Sequence, residues 1–548
     1  MWYDEYTKLN PHPQRWEKGA GQHVFGPTVT VYLEGMEPAR DAFLWSYLSA
    51  DLERLLKRPV QRSGVPDAAE IILRKAVPFA VDAARPPHGG YSLDCGEKQI
   101  LLVSGNEEGL FHGVQTLAQL IAMEAPSGKI RTGRIADWPQ YRNRWIMLDL
   151  GRAPFSLVFL KRIVRIAARL KYNGLHLHLH DNELNPVIYP DLPLGRDNQF
   201  ALHLSAYAEL IAYARDFHVA VIPELESWGH VGSLLSHYPH LYGATRPHSN
   251  GHSFVIGPET LELMGTLFGH WFNILPGGSK VHVGLDEGNW RVLPGANPKV
   301  YNRGNLTRLV CDVFQERARR HGKDMEMIMW VDYKKPVLPP PELRDRIILE
   351  PWLYSASPVI TDLLSICGSP HTADGQSDRK SPPPSFVCGG GASVIHEFGA
   401  LAATGQWAIE AQDYPNCLGM DVTLWGTNDL NRRMICVYHG AECAWNPLMA
   451  RETLPDKTYS EGAWGFLGLQ MKFWQSIFPD ADPTAIDQER GEEVLMGAYR
   501  WGERRGSPCV PIWMPTELFR GDFYNDECAA SRKTSAKSSA DALPDVGG

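Results

Sequence analysis

Residues 174–184 read GLHLHLHDNEL. His176, His178 and His180 alternate with leucines, and Asp181 follows at once. Alternation at period two marks a β-strand whose two faces meet different surroundings. The leucines suit a layer of helices, while the imidazoles need polar partners. The stretch therefore predicts a barrel strand with leucines facing outer helices, histidines facing the interior and Asp181 at the mouth.

Working outward, the same rhythm of strand, loop and helix repeats from about residue 140. Strand signals fall at 144–150, 174–180, 219–225, 280–286, 325–331, 346–352, 385–391 and 418–425. Helical patterns lie between most of them, as in SLVFLKRIVRIAARLK (156–171) and LSAYAELIAYARDF (204–217). Eight such strands over roughly 300 residues predict a (β/α)8 TIM barrel, an α/β fold. An open doubly wound sheet competes, but no strand is followed by a Gly-rich phosphate fingerprint.

The first 137 residues mix strand signals (28–35, 69–76, 90–96, 98–105) with helical ones (39–58, 109–124) and predict a small α/β domain of mixed sheet plus helices. The expected division is 1–137 for this domain, 138–450 for the barrel, 451–525 for C-terminal helices and 526–548 for a disordered tail. Residues 366–385 are polar and Pro-rich and read as a long loop, a lid or disordered.

A chain of 548 residues needs two or three units. Its net charge of -9 argues against a nucleic-acid partner. Nine scattered cysteines without a CxxC pair suit reduced thiols. No apolar leader and no membrane-length segment is evident, so the expectation is a soluble, cytoplasmic protein with no membrane association. The 17 tryptophans are the compositional oddity. Core packing accounts for most of them, and flat sugar-binding surfaces are the other use.

In a parallel barrel the chemistry sits at the C-terminal strand ends. Those ends carry His180–Asp181, then Glu224, Glu226 and His230 in PELESWGH, then Asp286, Glu287 and Trp290 in VGLDEGNW, and Trp330, Trp352 and Trp425. By strand alternation Asp286 should follow His282 and Gly284 inward, with Glu287 leaning over the mouth. Two carboxylates in one tryptophan-walled mouth resist joint ionisation, which raises one pKa and suits a general acid. A helix N-terminus or solvated turn is the competing reading of the pair. Three strand-end tryptophans would form a box around a small apolar group such as an acetyl methyl.

These residues resemble glycoside hydrolase family 20, the β-N-acetylhexosaminidases, of which the chain looks like a divergent member. GYSLDCGEKQILLVSGNEEGLFHGVQTLAQLI (90–121) is similar to the family's non-catalytic domain. RWIMLDLGR (144–152) resembles Arg-Gly-x-x-x-Asp-x-x-Arg, HLHLHDN resembles His-x-His-Leu-x-Asp-Asp, PELESWGH resembles Pro-Glu-x-Asp-x-Pro-Gly-His, and HVGLDE resembles His-x-Gly-Gly-Asp-Glu. The resemblance implies an exo-acting, retaining β-N-acetylhexosaminidase acting on β-GalNAc or β-GlcNAc termini. Its catalysis would be substrate-assisted, through an oxazolinium formed by the substrate's own acetamido oxygen. On that resemblance Glu287 is the general acid and base, and Asp286 holds the acetamido N–H. Trp330, Trp352 and Trp425 box the acetamido group, Arg144 binds sugar hydroxyls, and Asp181 and His230 steady the acid and the sugar. No cofactor or metal is implied; the partner is an amino-sugar glycoside, and the oligomeric state is left open.

The departures are Asn182, Glu226, Trp228, Leu285 and Thr427, and strand seven (FVCGGGAS) lacks the family's tyrosine, with Tyr333 and Tyr354 as alternatives. Asn182 and Thr427 suggest an unusual C4 preference, for GalNAc over GlcNAc. Two rivals remain: a metal-dependent TIM-barrel hydrolase using the clustered imidazoles, and a non-catalytic amino-sugar-binding protein.

Overall fold

The computed structural model describes residues 9–481, except 78–87, 125–126, 153–154, 197, 199, 246–251, 289–290, 333–337, 369–382, 393–396, 427–429, 449–473 and 476–477. Most of the proposed C-terminal helices, the tail and most of the Pro-rich 366–385 stretch lie outside the described residues. So do Trp290, Thr427 and Tyr333.

The N-terminal region is a seven-stranded mixed sheet. Its strands are β1 (Arg15–Val24), β2 (Val29–Glu34), β3 (Val60–Arg62), β4 (Ile71–Lys75), β5 (Tyr91–Cys95), β6 (Ile100–Ser104) and β7 (Lys129–Asp137), in the order β1-β7-β5-β6-β4-β2-β3. The β3-β2-β4-β6 half is parallel and the β6-β5-β7-β1 half antiparallel. Helix α1 (Pro38–Leu56) buries Leu44, Leu48, Leu52 and Leu56, the one-sided spacing of an amphipathic helix. Helix α2 (Glu107–Glu124) is instead buried almost throughout, the pattern of a helix covered on both sides. Gly113 lets it approach the sheet closely: a Cβ there would lie 2.3 Å from Leu102.

Eight parallel strands then close into a barrel in chain order. They span Asn143–Asp149, Gly174–His178, Ala220–Glu224, Lys280–His282, Glu326–Val331, Ile347–Pro351, Phe386–Ala392 and Cys417–Leu424. The second strand has the expected polarity. Leu175, Leu177 and Leu179 join the large outer core with Phe159, Ile163 and other helix residues. Inside, a separate plug of Trp145, Ile222, Ile328, Ile348 and Val387 fills the barrel near the strand starts. Above this plug the inward positions turn polar, with His176, His178, Glu224, His282, Glu350 and Asp421 all buried. The barrel is therefore a packed core with an apolar floor and a polar upper half.

Two differences from the sequence reading arise at strand ends. The second strand stops at His178, and His180 turns aside to Tyr189, its Nε2 lying 3.3 Å from the phenol oxygen. The fourth strand stops at His282, because the chain next enters a turn with positive φ at Gly284 (65°), Leu285 (78°) and Glu287 (41°). Strand alternation therefore does not place Asp286; this turn does. No helix among the described residues is long and apolar enough to cross a membrane. No disulfide joins the seven described cysteines.

Candidate active site

The polar half of the barrel is organised around two buried carboxylates. Glu224 ends the third strand and is fully buried. It accepts from His178 Nδ1 at 2.6 Å and from the Trp330 indole N–H, and lies 3.2 Å from His176 Nε2. Asp181 follows the second strand, accepts from His178 Nε2 at 2.9 Å and from His230 Nδ1 at 3.3 Å, and forms an ion pair with Arg152 at 2.6 Å. Burial opposes the charge on Asp181, but Arg152 and His230 outweigh it and hold the carboxyl well below its usual range. His178, bonded to a carboxylate at each nitrogen, is held well above the ordinary imidazole value against the penalty of burial.

This arrangement answers the question raised by the histidine-rich strand. His176 pairs with Asp421 at 2.6 Å through Nδ1 and faces Glu224 through Nε2. His282 accepts from the backbone N–H of Gly284 at its Nδ1, which leaves the ring proton on Nε2. Burial pushes His282 down to about 3, so the ring is neutral and offers no free lone pair. His176 Nδ1, both nitrogens of His178 and His282 Nδ1 are taken up in hydrogen bonds, an arrangement that disfavours a metal among His176, Glu224 and His282 although their ligand atoms lie within 4.8 Å of one another.

Asp181, His230 and Glu287 form a relay. His230 lies 3.3 Å from Asp181 through Nδ1 and 3.3 Å from Glu287 Oε2 through Nε2. Burial alone would lower His230, but Asp181, Glu287 and Asp286 hold it well above the usual value. Asp286 stands beside this relay. Its Oδ1 is buried with no hydrogen-bond partner among the described residues. Burial pushes Asp286 up to about 7; Glu287 and Glu224 add to the shift and His230 opposes it. His230, Leu285 and Glu287 all have positive φ, 53°, 78° and 41°. Non-glycine residues in this region carry strain of about 1–3 kcal/mol each, and such strain gathers where a site holds groups in a required geometry.

The three strand-end tryptophans converge. Trp330 and Trp425 have ring centroids 5.9 Å apart, and Trp352 stacks on Tyr354 at 5.4 Å. The Trp425 indole N–H donates to the Tyr354 hydroxyl at 2.6 Å. Gly389 leaves room for two of these side chains: a Cβ there would meet Trp352 Cβ at 3.1 Å and the Trp330 ring at 3.3 Å. Of the two tyrosines weighed from sequence, Tyr354 belongs to this wall.

Two sequence assignments are corrected. Arg144 lies at the start of the first strand, at the opposite end of the barrel from the mouth. Its guanidinium donates to the carbonyls of Lys171, Tyr141 and Arg142 and pairs with Glu108 of α2 at 3.4 Å. The arginine at the mouth is Arg152, which closes the same RWIMLDLGR motif. It pairs with Asp149 at 2.9 Å and Asp181 at 2.6 Å, lies 3.7 Å from Glu183, and sits over the Trp425 ring at 5.4 Å. The polarity of a parallel strand is the signal that favours Arg152. The second correction concerns Asn182. Its side-chain oxygen accepts from the backbone N–H groups of Gly232 and His252, at 3.3 and 3.1 Å. It ties two loops together, so it does not support the C4-preference reading. Glu224, Glu226 and Arg152 are the mouth residues that the sequence reading did not assign.

The family models described as Glycosyl hydrolase family 20, domain 2 and Glycosyl hydrolase family 20, catalytic domain match residues 6–138 and 141–361. The chain belongs to glycoside hydrolase family 20. Among curated relatives, a Beta-hexosaminidase of Akkermansia muciniphila is 34% identical over 211 residues, 34% of this chain and 42% of the relative. The Bos taurus Beta-hexosaminidase subunit alpha is 30% identical over 213 residues, 36% of this chain and 39% of the relative. The matched segment thus spans less than half the length of these relatives. A beta-N-acetylhexosaminidase from Bacteroides fragilis superposes with a TM-score of 0.63 at 18% identity, over 86% of this chain and 96% of that one. A mutant Streptomyces plicatus beta-hexosaminidase in complex with GlcNAc gives 0.63 at 19%, over 87% and 96%. At these identities the structural neighbours of this family 20 chain establish the fold.

Proposed function

We propose that this protein is an exo-acting, retaining β-N-acetylhexosaminidase that uses its substrate's acetamido group as nucleophile. The observation that carries this reading is the Asp181–His230–Glu287 relay standing beside the orphaned Asp286 Oδ1. A buried acceptor without a donor is the group an incoming amide N–H would satisfy. Asp286 and Glu287 are chain neighbours on one turn and do not come from opposite walls, as the two carboxylates of a direct glycosyl displacement do. That favours a nucleophile brought by the substrate.

In this reading the three tryptophans enclose the acetyl methyl. Asp286 accepts the amide N–H and turns the acetamido oxygen onto the anomeric carbon. As the new C–O bond forms, the glycosidic bond breaks, and Glu287 gives its proton to the leaving oxygen. Asp286 offsets the positive charge of the oxazolinium. Glu287, now ionised, takes a proton from water, which opens the ring from the face the leaving group vacated, so the anomeric configuration is retained. Arg152, braced by Asp149 and Asp181, is placed to hold the sugar hydroxyls.

The substrate class is β-linked N-acetylhexosaminides. GalNAc preference now rests on Thr427 alone. Turnover of p-nitrophenyl β-GlcNAc and β-GalNAc, with Glu287→Gln alongside, tests the reading. On an unactivated glycoside the variant should lose about 10³-fold in kcat while still binding sugar. Wild-type binding without turnover would instead identify a sugar-binding protein, and loss of turnover in EDTA would favour a metal-dependent hydrolase.

A further inference from the structure

The segment after the third strand backs the catalytic turn residue by residue. Leu225 and Ser227 donate to the carbonyls of His282 and Val283 at 2.9 and 3.1 Å. A Cβ on Gly229 would lie 2.4 Å from the Asp286 carbonyl, one on Gly288 2.6 Å from the Trp228 ring, and one on Gly284 only 1.8 Å from Glu226 Oε2. Gly284 therefore does two things. It takes a φ of 65°, and it leaves the space in which the Glu226 carboxyl lies.

Glu226 has no role in the reaction as written, and its position is unusual. It is 1% exposed, and its Oε2 has no hydrogen-bond partner among the described residues. The groups facing it are Glu224 from its own segment, His178 from the second strand, His230 from the following loop and Asp286 from the catalytic turn. His178 is bonded to Glu224 and Asp181, and His230 is placed against Asp181 and Glu287. Both cations are thus engaged with other carboxylates. A buried carboxylate with no donor of its own and two acidic neighbours keeps its proton. The direction of its titration agrees: burial, then Asp286 and Glu224, push it well above the usual value.

We propose that Glu226 is a positioning residue that acts as an uncharged carboxylic acid, lodged against Gly284 to set the turn bearing Asp286 and Glu287. This inference rests on the hydrolase reading above. Its neutrality is what matters to Asp286. Glu287 and Glu224 already push that carboxyl towards protonation. A third negative charge would keep it protonated, a weaker acceptor for the amide N–H and one without the charge that offsets the oxazolinium.

Two measurements on the full-length protein test this. The first is independent of activity. An infrared difference spectrum of wild type minus Glu226→Gln at pH 7 should contain the C=O band of a protonated carboxyl. A carboxylate band in its place overturns the proposal and leaves the hydrolase reading standing. The second is kinetic. Glu226→Ala, which removes the support, should lose at least about tenfold in kcat with KM changed less than about twofold, and Glu226→Gln should restore most of that loss with the acid limb of kcat/KM unmoved. An acid limb displaced downward by about one pH unit in Glu226→Gln means that wild type carries a charge there, and overturns the proposal. Equal loss in Gln and Ala overturns it as well. A wild type inactive on N-acetylhexosaminides, with the protonated band present, removes the hydrolase reading while the neutral acid stands.

Discussion

Arg144 and Arg152 stand towards the two ends of one barrel strand, the first buried and the second mostly so, each in a network of polar groups. At the floor, Arg144 is surrounded by main-chain carbonyls and by Glu108 from the N-terminal domain. Lys171 pairs nearby with Asp137 at 2.9 Å, both groups fully buried. Every partner there belongs to the fold, and the result is a joint between sheet domain and barrel. At the mouth, Arg152 meets three carboxylates and an aromatic face. Asp286 nearby keeps an unsatisfied acceptor. The polar groups of Arg144, Lys171, Asp137 and Glu108 are all partnered, whereas Asp286 Oδ1 at the mouth is not, among the described residues. An unfilled acceptor beside the relay, more than charge or burial, separates the mouth from the Arg144 joint.

Exchanging each arginine for methionine sharpens the contrast most. Arg152→Met should lower kcat/KM about 10³-fold, because Asp149 and Asp181 lose their cation and the sugar loses its clamp. Arg144→Met should instead lower folding stability by about 3–5 kcal/mol, the usual result of breaking a buried pair, while kcat/KM per folded molecule stays within about twofold. Melting curves beside steady-state kinetics separate the two. Equal catalytic losses would erase the distinction between floor and mouth.

A smaller effect has a definite sign. Asp286 titrates at about 7 in the folded protein, against an ordinary 3.8. The folded state binds this proton more tightly than the unfolded one, so stability drains away as pH rises from about 4 to about 7. Asp286→Asn escapes that loss. It should melt higher than wild type at pH 8, match it at pH 4, and turn over substrate far more slowly at both. A lower melting temperature at pH 8 would show that Asp286 is ionised and satisfied within the fold.

The smallest effect is expected at Asn182. Its oxygen serves two backbone N–H groups, a task a carboxylate also performs. Asn182→Asp should leave the ratio of GalNAc to GlcNAc turnover unchanged, and a shift of tenfold would return this residue to the sugar.

The barrel was legible because period-two strands and 3.6-residue helices leave their marks in hydropathy, and all eight strands fall where those marks predict. The ends of strands were harder to read. The fourth strand stops early because Gly284, Leu285 and Glu287 adopt positive φ, and leucine gives no notice of that conformation. Arg152 was within reach of the sequence, since the end of a parallel strand that faces the mouth is fixed by chain direction. Glu224 could be placed at a strand end but given no role, because its neighbours His178, His176 and Trp330 arrive from the second and fifth strands. Glu226 depends on a void left by a glycine nearly sixty residues away.

In the proposed reaction the acetamido oxygen of the substrate is the nucleophile. This role is tested most directly by kcat/KM on p-nitrophenyl β-glycosides whose acetamido methyl carries zero, one, two or three fluorines. Fluorine drains electrons from the carbonyl oxygen and leaves the leaving group unchanged. A steep, monotonic fall along the series supports participation. A flat series would assign the attack to a group of the protein and contradict the account.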